Sequence, residues 1–320
     1  MSSYIDKSLD DLIRIEDDFV KSIKEKKAFF FSLENNEVYQ LSVNILEKIL
    51  SIQKSILKAN SSLIENYSSL RYILETLIQT ELLIKEPEYT YKLFYSIHSH
   101  QIDKTNKFIE RIKREILIME NYELEDRKNI NIIKNGVDKN EDIELTHKIH
   151  QKAIKELDDK ADLEFTMFCG NFKWFGYGYT QSHLENEVLP EYQKRLTLFK
   201  NSRIEIAKKL VKKESVSKHF NFNNQHTKVF KELKDNRTWK EKARLTKLEN
   251  EYNLIYDLSS ALLHSTSYSF KTRNDIEDYE MKMIKNLCFQ YSKKMMINLN
   301  SYTKMEFYNK FKMITFNEEQ

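Results

Sequence analysis

Glycine and proline are almost missing from this chain: 4 and 2 of 320 residues. Both residues make the turns that punctuate a chain, so a sheet rich in tight hairpins lacks its parts. An α/β fold, with glycine-bearing loops after its strands, is excluded on the same ground. The only two cysteines, Cys169 and Cys288, are too few for a disulfide framework and cannot by themselves form a zinc site. No apolar run approaches the roughly 20 residues needed to cross a bilayer. The N-terminal stretch MSSYIDKSLDDLIRIEDD is acidic and lacks the apolar segment of a signal peptide. A reducing cytoplasm is therefore the expected compartment, with no membrane partner. Charge of a single sign is missing too. The 52 basic and 49 acidic residues leave a net charge of +3. That excludes a strongly basic, nonspecific DNA coat, but neither RNA nor another protein as partner.

What remains is the material of helices. An apolar share of 40% supports a core, and a charged share of 32% suits long helices with solvated outer faces. From Ile5 to about Leu33 apolar residues recur at three and four positions (Leu9, Leu12, Ile13, Phe19, Val20, Ile23), which reads as an amphipathic helix. A second helix is expected from Glu37 to Ala59. A third, Leu63 to Glu86, has Asn60-Ser61-Ser62 as its cap and Pro87 as its stop. A fourth runs from Glu88 to about Asn121. Residues 122–160 are charged and read as a projecting helical hairpin that turns near Asn135-Gly136. Residues 165–180 are an aromatic-glycine loop, FTMFCGNFKWFGYGY in its main part. A helix follows Pro190 to about Lys213, then a polar passage from Ser215 to His226. The last third carries helices at Trp239–His264, Asp275–Asn300 and Tyr302–Phe311. The expected fold is an all-α bundle of about eight to ten helices in a single domain over residues 1–320, since no linker divides the chain.

Two polar patterns sit on the two most apolar helices. Arg71 and Glu75 lie at i and i+4, one above the other, where they can pair. Buried charges must be matched, so this is either an anion-binding arginine oriented by its glutamate or an ion pair that fixes helix register. Tyr252, Tyr256, Ser260 and His264 follow at intervals of four and form a slowly drifting polar stripe. Such a stripe either is satisfied internally or lines a cavity. Of the histidines, His264 has the setting for acid–base work, and the plainer role is a cap or core hydrogen bond. The two helices are expected to pack so that Arg71, Glu75, Tyr256, Ser260 and His264 converge.

Arg71-x3-Glu75, with a segment led by Trp239 running into Tyr252-x3-Tyr256-x3-Ser260-x3-His264, resembles a bacterial family of helical proteins known as a domain of unknown function. The resemblance spans about Val43 to Phe270 and brings no established chemistry. A looser similarity is to HEPN helical domains, many of them RNases of toxin and phage-defence systems. Their arginine steadies a phosphate and their histidine moves protons from one helix, spaced Arg-x4–6-His. This chain has no such spacing, and Arg71 and His264 meet only if two helices bring them together. The resemblance implies a nucleic-acid-acting protein of the defence kind, with His264 as acid–base and Arg71 as phosphate clamp.

The other reading is a non-catalytic interaction protein. Phe172, Trp174, Phe175, Tyr177 and Tyr179 supply rings that stack on bases or fill a partner's pocket, with Trp239 as a further binding residue. The alternative for that loop is a buried anchor for the hairpin. Cys169 has no histidine near it in sequence and is not expected to be a nucleophile. His147 and His150, with Glu144 a turn earlier, have a metal-compatible spacing on a solvated helix, and no metal or cofactor is expected. Residues 194–218 carry nine basic against two acidic residues, which suits either a phosphate track or a solvated face. A homodimer is allowed, although no heptad seam requires one.

Overall fold

The computed structural model describes residues 4–29, 36–57, 62–86, 89–138, 143–169, 175–212, 226–263 and 276–303. The chain is all-α: among the described residues there are ten helices and no strand. They are α1 (Tyr4–Phe29), α2 (Asn36–Ile56), α3 (Leu63–Lys85), α4 (Tyr89–Asp138) and α5 (Ile143–Asp162). Next comes α6, which starts as Tyr177–His183, passes through a π turn at Leu184–Val188 and continues as Leu189–Lys212. The last four are α7 (His226–Leu233), α8 (Trp239–Leu245), α9 (Glu249–Leu263) and α10 (Asp278–Thr303).

The chain divides into two compact units. One comprises residues 1–92 and 235–320, the other residues 93–234. The first boundary falls inside α4, where no change of composition marks it.

In the first unit α3 is the hub, packed against α2, α8, α9 and α10. Its apolar residues face several neighbours at once, and Leu70, Ile73, Leu74, Leu77, Ile78 and Leu82 are fully buried. Each contributes about 1.5–3 kcal/mol relative to an exposed position. The helix begins at a capping box: Ser62 Oγ accepts from Glu65 N (3.2 Å) and Glu65 Oε2 accepts from Ser62 N (3.1 Å). Polar contacts set the register of α10. Asn298 donates to Glu81 (3.1 Å), Lys294 pairs with Glu81 (3.1 Å), and Lys285 pairs with Asp6 of α1 (2.6 Å).

The second unit is built on the long helix α4, with α5 returning beside it. Ile112, Ile116, Met119 and Tyr122 of α4 share a core with Leu157 and Ala161 of α5, Cys169, and Tyr177 and Leu184 of α6. Lys160 reaches back to Glu125 at 2.7 Å. The expected turn at Asn135-Gly136 is corrected: α4 runs through both residues to Asp138. A single glycine in a solvated helix costs only about 1 kcal/mol, too little to stop a helix of this length.

Two further boundaries differ from the sequence pattern. Helix α6 starts at Tyr177, not after Pro190. Proline has no N–H and its ring crowds the carbonyl four residues back. The π turn just before it, with Leu189 N donating to Leu184 O, redirects those carbonyls and lets the helix pass. The helix expected over Trp239–His264 is two helices, broken at Thr246–Leu248, where Lys247 takes φ 61°. The segment expected to be helical over Tyr302–Phe311 lies outside the described residues after Thr303.

Candidate functional site

Helices α3 and α9 pack together, and their polar patterns meet. Arg71 Nε donates to Glu75 Oε1 at 2.9 Å. The guanidinium lies over the Tyr256 ring, 4.5 Å from its centroid. Tyr252 stands beside that ring, with centroids 5.5 Å apart, and its buried hydroxyl contacts Arg71. Burial is the largest influence on the Tyr252 phenol and pushes its pKa up, helped by the nearby Glu75 charge. For Arg71, burial opposes the charged form, but the hydrogen bond and charge of Glu75 outweigh it and the pKa rises. The arginine is therefore a fixed cation. It is held on three sides, by a carboxylate, a phenol and a ring face. Of its five N–H groups Glu75 takes one, at 2.9 Å. Its side chain remains 26% exposed and Tyr256 39% exposed, so the cluster forms a ledge open to solvent.

Ser260, one turn beyond Tyr256 on α9, is partly buried at the end of this ledge. The fully buried hydroxyl belongs instead to Ser259, which donates to Tyr256 O at 3.1 Å. His264 lies outside the described residues, so α9 brings Arg71, Glu75, Tyr252 and Tyr256 together without a placed histidine.

Trp239 belongs to a second constellation in the same unit. Lys242 Nζ lies 5.0 Å from the centroid of its ring. Arg237 donates through both terminal nitrogens to Glu86 (2.6 and 3.1 Å) and through Nε to Asp235 (2.8 Å). Lys242 adds a 3.0 Å pair to Asp235. Burial pulls the Asp235 pKa upward, but Arg237 and Lys242 together hold it down at about 2. Tyr89, buried beneath Arg237 and hydrogen-bonded to Asp235, is pushed well above the ordinary phenol range, first by burial. Two cations answer two carboxylates, so the network closes on itself as a clamp between the end of α3 and the start of α8. Sequence reasoning picked out Trp239 but missed this clamp. The readable signal was the capping box Thr238-x-x-Glu241, which forms: Glu241 N donates to Thr238 Oγ1 at 3.2 Å.

In the second unit the aromatic-glycine loop is pinned from beneath. Glu115 of α4, fully buried, accepts from Met167 N and Phe168 N, both at 2.7 Å, and from Arg111 Nε at 2.6 Å. Burial raises its pKa, but these donors and the Cys169 thiol outweigh it and the carboxylate falls below its ordinary range. Cys169 is itself pushed up to about 12, by burial first and then by Glu115. It is thus a poor nucleophile, as its sequence context suggested.

Tyr177, expected among the exposed binding rings, is corrected to a core residue. It stacks on Tyr122 with centroids 5.2 Å apart, and its hydroxyl reaches Asp158 at 3.3 Å. Phe172 and Trp174 lie outside the described residues. Among the described residues the exposed large apolar side chains of this region include Leu163, Phe165 (90%), Met167 (61%), Phe175 and Tyr179. Along residues 194–218, described through Lys212, Arg195 pairs with Glu191 and Lys208 with Glu205, as on a solvated face. Glu144 accepts from Lys148 at 2.8 Å. No helix among the described residues is long and apolar enough to cross a membrane.

Against known proteins this chain stands apart: no family model, no curated protein and no solved structure matches it.

Proposed function

We propose that the protein acts on nucleic acid, RNA in the first instance, through the ledge between α3 and α9. The observation that carries this reading is the restraint of Arg71 by Glu75, Tyr252 and Tyr256, with its side chain still 26% exposed. A pre-oriented guanidinium meets two oxygens of a phosphate without a further ordering cost. The partly exposed Tyr256 ring offers a face on which a base can stack. Ser260 extends the polar edge. His264, four residues later in sequence, is the group with a pKa suited to moving a proton at neutral pH. A reducing cytoplasm suits this reading, with Cys169 and Cys288 both free thiols.

The test is induced expression of the wild-type chain, His264→Ala and Arg71→Gln, scored for growth and RNA integrity, with helicity checked by circular dichroism. Growth arrest with cleaved RNA in the wild type alone is the expected result. Intact RNA and normal growth from all three folded chains would reject it.

A second reading has its own observation. Glu115 fixes the backbone at Met167 and Phe168 while the neighbouring Phe165 and Met167 side chains point outward. Large apolar groups presented on a rigid backbone suit a protein partner, because little conformational freedom is lost on docking. This interaction protein is what intact RNA would leave standing, and neither reading needs a homodimer.

A further inference from the structure

From Asp162 to Met167 the second unit sets large apolar side chains beside carboxylates. Leu163, Phe165 and Met167 stand out into solvent, 79%, 90% and 61% exposed, and Asp162 and Glu164 are exposed next to them. The backbone that carries them is held at both ends. Leu163 N donates to Lys160 O and Glu164 N to Ala161 O, each at 3.2 Å, and Glu115 accepts from Met167 N and Phe168 N at 2.7 Å. Phe168 then turns inward, edge-on to Phe108 and Tyr192 with centroids 6.0 and 5.5 Å away. A pinned backbone that turns one ring inward and leaves three apolar side chains in water marks an interaction surface.

One flank of this apolar knob is strongly acidic. Residues 120–128 and 156–164 together carry nine carboxylates against three cations, Arg127, Lys128 and Lys160. The two stretches lie side by side, because Lys160 pairs with Glu125 at 2.7 Å. Arg127 is taken by Glu123, also at 2.7 Å. The surplus is felt by its neighbours. Asp126 is pushed above its ordinary range, by burial first and then by the Glu123 and Asp158 charges, against the pull of His150. The Tyr122 phenol rises too, from burial first and then from the Glu164 charge. Phe175 and Tyr179, both exposed and with ring centroids 6.0 Å apart, border the same flank, where Gly178 N donates to Glu123 at 3.0 Å.

We propose that Leu163, Phe165 and Met167, with the carboxylates of this flank, dock a basic amphipathic helix of a partner protein. The apolar face of that helix covers the three side chains, and its lysines or arginines answer the surplus carboxylates. Charge decides between occupants, since nucleic-acid phosphates and anionic membrane headgroups meet a field of their own sign here. This rests on the reading of the loop as a docking surface and names the chemistry of its partner; the α3–α9 ledge plays no part in it.

The experiment is fluorescence anisotropy of a labelled leucine–lysine amphipathic helix, about 18 residues or five turns long, titrated with the full chain. Saturable binding that weakens as salt rises is expected, with none to the same helix carrying glutamate in place of lysine. Phe165→Ser should weaken binding at least about tenfold, since the docked ring loses its burial. Asp159→Lys with Glu164→Lys should weaken it about as much and flatten the salt dependence. Asp10→Lys with Glu25→Lys, the same charge change on α1 of the first unit, should leave affinity unaltered. All five side chains are exposed, so the melting temperatures of the variants should match the wild type's. Equal affinity in Phe165→Ser overturns both the proposal and the docking reading beneath it. A loss in Phe165→Ser with no response to the Asp159 and Glu164 reversals overturns the basic partner alone and leaves the docking surface. Single-stranded RNA binding that Phe165→Ser removes, or a dimer of the full chain that it dissolves, overturns the proposal by assigning the surface to nucleic acid or to a second copy.

Discussion

Glu16 and Glu115 are both fully buried carboxyl groups, and their surroundings drive them in opposite directions. Glu115 faces two backbone N–H groups, an arginine and a thiol, so the charged form wins although burial opposes it. Among the described residues Glu16 of α1 has as hydrogen-bond partner only Gln53 of α2, whose Nε2 donates to Oε1 at 3.2 Å. Burial dominates there and lifts its pKa to about 8. Among the described residues Glu16 Oε2 and Gln53 Oε1 both lack partners, and an unpartnered carboxyl oxygen favours the neutral acid over the charge. The linkage follows from these directions. Glu16 keeps its proton in the folded chain up to about pH 8, while the unfolded chain releases it near the ordinary 4.5. Its contribution to stability is therefore full below about pH 4.5 and is lost as pH rises toward 8. Glu115, depressed, contributes above its unfolded pKa and loses that contribution as pH falls. Urea unfolding of the wild type and Glu16→Gln across pH 5 to 8 should show the two curves diverging by roughly 2–5 kcal/mol, with the variant the more stable at the alkaline end. Parallel curves would mean that Glu16 is charged in the folded chain.

At the scale of elements, the start of α8 is where the first unit closes. Its cap and its clamp are separable. Thr238→Ala removes the capping box alone and should cost about 1 kcal/mol. Arg237→Gln leaves Glu86 and Asp235 facing each other with only Lys242 between them. With the side chains 23%, 34% and 9% exposed, a cost of about 2–3 kcal/mol is expected. Urea midpoints compare the two, and equal costs would mean that the clamp contributes nothing beyond the cap. The same element shows what the sequence could reveal. The meeting of Arg71 and Glu75 with Tyr256 was legible because helical periodicity puts each pair on one face and two strongly apolar helices must find each other, whereas Tyr252 was read only as part of the α9 stripe and not among the converging residues. The Glu86–Arg237 pair joins residues 151 positions apart, a distance over which no local pattern carries information. The break between α8 and α9 was hidden for another reason. It needs a left-handed residue, and Lys247 supplies it where glycine or asparagine would have announced it. Pro190 misled in the opposite sense, since a π turn carries the helix through it. Tyr177 read as a surface ring because no local signal discloses Tyr122 waiting to stack on it.

At the scale of the molecule, the second unit is an insertion into the first, entering within α4 and leaving before Asp235. The two units depend on the chain differently. Residues 93–234 contain their own core, from Ile112 to Leu184, and their own buried anchor in Glu115. The first unit is assembled from two distant stretches. Helix α3 comes from the first and three of its partners, α8, α9 and α10, from the second. Residues 1–92 alone would expose Leu74, Leu77 and Leu82, a surface that three helices lose at once. A fragment of residues 93–234 should thus remain helical and melt cooperatively, while residues 1–92 should be largely unfolded or aggregated until residues 235–320 are added. Circular dichroism and amide hydrogen exchange on the three fragments check this. If residues 93–234 exchanged freely, the second unit would owe its order to the first, and the insertion would be a long excursion of one folding unit.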